Sequence, residues 1–89
     1  MNGIEGKVAI VTGAGRGIGQ AVALGLAEQG ALIVANDLDQ EPLNETLSQI
    51  EAMGGKGVGL AASVGDANIG TRLADLAVSS FGDVHLVFT

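Results

Sequence analysis

Four short apolar runs alternate along the chain with three stretches whose apolar residues recur at helical spacing. The first run, Val8-Ala9-Ile10-Val11, is closed by Thr12-Gly13. Unbroken apolarity over so few residues predicts a strand buried on both faces. From about Gly17 to Gln29, Ile18, Val22 and Leu26 recur every four residues, which predicts a helix. Ala21 and Gly25 share the adjoining face, where small side chains would let the helix lie close to a sheet. Gly30 follows in the position of a helix-ending glycine. Leu32-Ile33-Val34-Ala35 repeats the buried-strand pattern and ends at Asn36-Asp37. Pro42 fits the first turn of a second helix, with Leu43, Leu47 and Ile50 as its apolar stripe and Gly54-Gly55 at its close. Val58-Gly59-Leu60-Ala61 reads as a third, weaker strand. Asp66 is expected to cap a third helix carrying Ile69, Leu73 and Leu76; Gly82 ends it, and Val84 to Phe88 form a fourth strand.

The order β-α-β-α-β-α-β implies an α/β chain with a parallel sheet and helices on its faces. Right-handed crossovers leave few ways to arrange it. The 89 residues suit one domain, spanning 1–89, with no linker, repeat or second domain. A chain this short buries a modest share of its surface, so marginal stability without a partner or ligand is expected. With no Trp, no Tyr and two Phe, the core must be built from Val, Ile, Leu and Ala. The formal charge of −6 argues against nucleic acid or an anionic membrane as partner. The absence of Cys excludes disulfides and thiolate metal sites, and the scattered Asp and Glu show no metal-ligand pattern. The opening residues lack the features of a signal peptide, and no apolar stretch is long enough to span a bilayer, so a cytoplasmic protein is expected.

The segment that carries chemistry is Thr12-Gly13-Ala14-Gly15-Arg16-Gly17-Ile18-Gly19, between the first predicted strand and helix. Spaced glycines alone are a weak signal; this βα context makes them a strong one. Gly13 permits the tight turn, Gly17 leaves room for a pyrophosphate to approach the backbone, and Gly19 lets the helix pack on the strand. The helix amino terminus offers unpaired N–H groups and a positive dipole end to phosphates. Asp37, 18 residues after Gly19, stands near the spacing of about 20 expected of a ribose-binding acid. A carboxylate there accepts hydrogen bonds from both adenosine hydroxyls and repels a 2′-phosphate, which favours NAD over NADP. Arg16 is the counter-argument, since a guanidinium in the glycine turn could reach a 2′-phosphate. Asp37 ranks above it because no basic residue follows the second strand, where Asp39 and Glu41 make the loop acidic.

The run Gly6 to Gly19 resembles the opening of a short-chain dehydrogenase/reductase, a family that carries Thr-Gly, three residues, then Gly-x-Gly. Phe81-Gly82-Asp83-Val84-His85-Leu86-Val87-Phe88 is similar to the family's fourth strand and its approach. The resemblance runs in register over the whole chain. It implies a Rossmann-type, doubly wound parallel sheet, truncated here to about four strands and three helices, and an NAD(H)-binding role. The cofactor-binding residues it implies are Thr12, Gly13, Gly15, Arg16, Gly17, Ile18, Gly19, Asp37, Leu38, Ser63 and Val64. Ser63-Val64 stands where the family usually has an Asp beside a small apolar residue to contact the adenine; a serine hydroxyl would bond it more weakly. Thr89 stands at the first position of the family's Asn-Asn-Ala-Gly.

The family's catalysis uses a Tyr as acid/base, a Lys four residues later and a Ser that polarises the carbonyl. This sequence has no Tyr, and Lys7 and Lys56 belong to no such motif. No catalytic residue is therefore assigned, and the chain alone is expected to be inactive. His85 reads as a packed or edge-strand imidazole and Ser79-Ser80 as helix termination. A second reading is a catalytically inactive nucleotide-binding or interaction module assembled with another chain. A third, a methyltransferase fold, also uses a glycine turn and an acid after strand two; the Thr-Gly-x-x-x-Gly-x-Gly spacing argues against it. The strand order is expected to be 3-2-1-4. The apolar fourth strand would then lie at an edge that no proline or lysine guards, which predicts a homo-oligomer or a partner chain that completes the sheet.

Overall fold

The computed structural model of the chain describes residues 3–89. Four strands, β1 (Val8–Val11), β2 (Leu32–Asp37), β3 (Lys56–Ala61) and β4 (Leu86–Phe88), alternate with three helices, α1 (Gly17–Glu28), α2 (Gln40–Ala52) and α3 (Ile69–Phe81). All pairings are parallel, in the order β3-β2-β1-β4, as expected. Ile10 stands opposite Val34 on one side and Val87 on the other, so β1 is central and apolar on both faces. From β1 the chain winds outward to β2 and β3, then crosses back to β4. The strand order therefore reverses between β1 and β4, the place where open α/β sheets present ligand crevices at the carboxyl ends of their strands.

The two faces of the sheet are filled by different helices. Ala9, Val11, Ile33 and Ala35 pack with Ala23 and Ala27 of α1 and Leu43 and Ile50 of α2. Val8, Ile10 and Val34 point the other way, onto Leu73 and Ala77 of α3. Alternate residues of each strand serve opposite faces, which is why the strands read as continuous apolar runs.

Four local expectations are corrected. The buried face of α1 centres on Ala23 and Ala27, in line with Gly19; of the expected stripe Val22 and Leu26 pack half-buried against the same core, while Ile18 is 76% exposed and Ala21 and Gly25 are exposed. The helix is rotated because Gly19 is pressed onto the carbonyl of Gly13, which sets the phase of every later residue. The third strand begins at Lys56 rather than Val58 and pairs with β2 over six positions. Its glycines obscured it: a Cβ on Gly59 would stand 2.7 Å from Leu47 and one on Gly57 3.1 Å from the same side chain, so their bareness lets α2 lie on the strand. The N-cap of α3 is Asn68, not Asp66. Asp66 instead accepts from the Asn68 N–H at 3.2 Å and pairs with Arg72 at 3.5 Å. Finally, β4 starts at Leu86, and His85 precedes it. The His85 Nδ1 accepts the Val8 N–H at 2.9 Å, while the backbone N–H of His85 donates to the Val8 carbonyl at 2.9 Å. The imidazole thus fastens the approach of β4 to the entrance of β1.

Candidate functional site

At the carboxyl ends of β1 and β2, residues 12–16 turn sharply between β1 and α1. Gly13 and Gly17 take φ of +65° and +59°, a conformation that other residues rarely adopt. Between them the backbone is pinned from three directions. The Ala14 N–H donates to the Asn36 carbonyl at 2.8 Å, the Thr46 hydroxyl donates to the Ala14 carbonyl at 2.9 Å, and the Gly15 N–H donates to Asp37 Oδ2 at 2.7 Å. A Cβ on Gly15 would stand 2.6 Å from that carboxylate oxygen and 2.9 Å from Pro42, so the bare backbone is what admits Asp37. Gly19 meets the Gly13 carbonyl so closely that any Cβ would overlap it. The turn is therefore held in one conformation rather than being a loose loop.

The start of α1 is open. Arg16, its N-cap residue, makes no side-chain cap bond, and no acidic residue stands in the first turn. The first helical bond is Gln20 N–H to the Arg16 carbonyl at 3.2 Å; among the described residues no acceptor meets the N–H groups of Gly17, Ile18 and Gly19. A Cβ on Gly17 would meet nothing within 4 Å. Three unpartnered N–H groups at a positive dipole end, with clear space before them, are a donor set suited to a diphosphate. The residues present thus fit the phosphates of a dinucleotide.

Asp37 binds the turn to the next loop. Its Oδ1 accepts the Leu38 N–H at 2.7 Å and that of Asp39 at 3.5 Å, while Oδ2 holds Gly15. Oδ2, with one donor, keeps a lone pair in reserve, so the group can still accept from a hydroxyl. Arg16 and Asp39 form an ion pair at 3.0 Å, their side chains 65% and 60% exposed. Leu38 and Ile18, both at this junction in sequence, are exposed. Thr12 pairs with β4: its N–H donates to the Phe88 carbonyl at 3.0 Å.

The structure thus brings Gly13, Gly15, Arg16, Gly17, Ile18, Gly19, Asp37 and Leu38 to one junction, with Thr12 at its base. Ser63 and Val64 stand apart from its hydrogen bonds. The Ser63 hydroxyl is occupied as acceptor of the Gly65 N–H at 3.1 Å. Val64 lines an apolar cleft of about 550 Å³ with Ile10, Thr12, Leu73 and Val87. Two residues of the site escaped sequence reading. Thr46 sits within the apolar stripe of α2, fully buried, and receives Gln20 Nε2 at 3.2 Å while holding Ala14. Asn36, also fully buried, donates to the carbonyls of Leu60 and Ala62 and so ties the end of β2 to that of β3. A polar residue at a core position was the only available signal. Among the described residues no group of His, Asp or Glu could hold a metal, and no helix is long and apolar enough to cross a membrane.

The sequence model of the family described as short chain dehydrogenase matches residues 7–89. A probable tetrahydroxynaphthalene reductase of Zymoseptoria tritici is 44% identical over 94% of this chain, which covers 32% of that protein. A cyclohexanol dehydrogenase of Acinetobacter sp. is 39% identical over 98% of the chain and 35% of its own length. Among solved structures, a short chain dehydrogenase/reductase from Burkholderia phymatum in complex with NAD superposes with a TM-score of 0.92 at 38% identity, covering 98% of this chain and 31% of that one. The chain spans about a third of the length of these relatives. The matched region takes in the glycine turn, Asp37 and all four strands, and on that match the chain belongs to the short-chain dehydrogenase family.

Proposed function

We propose that this chain is the NAD(H)-binding portion of a short-chain dehydrogenase/reductase, an oxidoreductase that moves a hydride between nicotinamide and an alcohol or carbonyl carbon. The observation that carries the reading is the junction itself: an open helix amino terminus beside a glycine turn that Asp37 holds at 2.7 Å. In this reading the N–H groups of Gly17, Ile18 and Gly19 receive the diphosphate, Asp37 accepts from the adenosine ribose hydroxyls, and Ile18 and Leu38 flank the bound molecule. Ser63 and Val64 border the adenine side, and Thr12 braces the turn against β4. The cofactor, when bound, supplies the hydride chemistry; the acid/base Tyr that the family's reaction needs has no counterpart in this sequence.

NAD is preferred over NADP in this proposal, because a 2′-phosphate would bring negative charge to a carboxylate. Calorimetric titration with NADH and NADPH tests it. Tighter binding of NADH supports the reading, and equal or tighter NADPH binding refutes the preference.

A second reading, a catalytically inactive nucleotide-binding or interaction module completed by another copy or chain, is favoured by one observation. β4 lies at the sheet edge with Leu86, Val87 and Phe88 exposed by 36%, 63% and 39%, next to the apolar cleft. Such an edge invites strand pairing. Light scattering at tens of micromolar decides it, a stable monodisperse monomer being the result that removes the partner.

A further inference from the structure

We infer that Asp39 is a specificity-determining residue: by pairing with Arg16 it disarms the one cation at the junction that could receive a 2′-phosphate. The inference rests on the dinucleotide reading above and extends it beyond Asp37.

The four basic residues of the chain are Lys7, Arg16, Lys56 and Arg72. Lys7 precedes β1 and Lys56 opens β3, so both stand at the amino ends of the strands, away from the junction. Arg72 lies on α3 and pairs with Asp66. Arg16 alone stands in the glycine turn, one residue from the N–H that Asp37 holds. Its NH2 group reaches Asp39 Oδ2 at 3.0 Å. The Asp39 backbone N–H reaches Asp37 Oδ1 at 3.5 Å, so the residue that pairs with Arg16 also touches the Asp37 carboxylate. One positive and two negative side chains therefore belong to this junction, Asp37 on the backbone of Gly15 and Asp39 on the Arg16 guanidinium.

A ribose hydroxyl loses nothing at such a cluster. A phosphate monoester adds about 1.5 to 2 negative charges at neutral pH. It would face Asp37, and it would have to compete with Asp39 for the guanidinium, which otherwise takes phosphate bidentately. Exposed ion pairs are individually weak. The effect of Asp39 on affinity is therefore not that of the pair alone; it is the like charge removed together with the guanidinium released.

The substitution is structurally mild. Asp39 is the N-cap residue of α2 but makes no side-chain cap bond, and Asn is an equally good N-cap residue. Asp39→Asn is therefore expected to fold, with a circular dichroism spectrum like that of the unaltered chain. The probes are NADH and NADPH, titrated calorimetrically into the full chain, into D39N and into D39N/R16A.

D39N is expected to tighten NADPH about tenfold while changing NADH less than twofold. R16A added to D39N is expected to abolish most of that gain. An NADPH-to-NADH ratio in D39N within twofold of the unaltered chain overturns the inference. A gain that survives R16A overturns the part assigned to Arg16. Binding of NADH by the unaltered chain with no response to D39N leaves the dinucleotide reading standing and removes this one. Binding of neither dinucleotide by any variant removes both.

Discussion

Alanine at Gly19 and alanine at Gly25 place the same methyl group on the same helix, with opposite expected consequences. In an open helix position the exchange is favourable, by about 1 kcal/mol, because Gly has more backbone entropy to lose. Gly25 is such a position: it is exposed, and a Cβ there would meet nothing within 4 Å. Gly19 is not. Its Cβ would overlap the Gly13 carbonyl and stand 3.1 Å from that of Thr12. Both obstacles are backbone, in a turn whose neighbouring residues are pinned by Asn36, Thr46 and Asp37, so neither can swing aside as a side chain would. Overpacking costs about 1–3 kcal/mol, and rigid surroundings place this case toward the upper end. After the gain in helix propensity is subtracted, G19A is expected to lose about 2 kcal/mol and G25A to gain about 1 kcal/mol. For a domain of this size each kcal/mol moves Tm by about 4–8 °C, so the two variants should melt more than about 10 °C apart. Thermal unfolding followed by circular dichroism measures the gap. A displaced turn should also misdirect the N–H groups of α1, so G19A is expected to weaken NADH by about tenfold or more in calorimetry, while G25A leaves it unchanged. Melting points within about 2 °C of each other, or unaltered NADH binding by G19A, would show that the contact is relieved at no cost, and the account of the turn as a rigid cradle would fail.

Thr46→Val removes a buried hydroxyl while keeping its shape, leaving the Ala14 carbonyl without its donor and Gln20 without its acceptor; a loss of about 1–3 kcal/mol is expected in thermal melts, and a neutral result would mean that water replaces the hydroxyl. Asp37→Ala should weaken NADH by about 1.5–3 kcal/mol, read by calorimetry, and an unchanged Kd would remove Asp37 from the ribose site. The 89-residue chain, purified free of host enzymes, should turn over no alcohol or ketone with either cofactor, since it holds no proton donor of the family's type; cofactor-dependent turnover above background would refute this.

Much of this architecture was legible because it follows from local rules. Continuous apolar runs of four residues located β1 and β2, and alternation with helical periods led to a parallel sheet. The glycine turn was legible for the same reason: positive φ at Gly13 and Gly17 restricts residue choice sharply, and sequence records that restriction; Asp37 was singled out by its spacing from Gly19 at the end of an apolar run.

What sequence could not express is contact between distant segments. With Gly19 against the Gly13 carbonyl, the buried face of α1 centres on Ala23 and Ala27; Val22 and Leu26 flank it half-buried and Ile18 is left exposed, because periodicity finds a helix but does not say where on it another element will centre. The length of β3 was hidden because Gly57 and Gly59 are selected by the approach of Leu47 and Leu43 from α2, not by any strand preference of their own. Nothing local assigns a role to Thr46 or Asn36; the fold does so by setting the carbonyls of Ala14, Leu60 and Ala62 against them. Arg16 and Asp39 are 23 positions apart, and their pairing exists only because β2 returns beside β1. The sequence determined which residues could make a phosphate-binding turn, since that is a property of backbone conformation. Only the tertiary structure decided what holds the turn rigid and which charges face one another across it, because those are properties of distance.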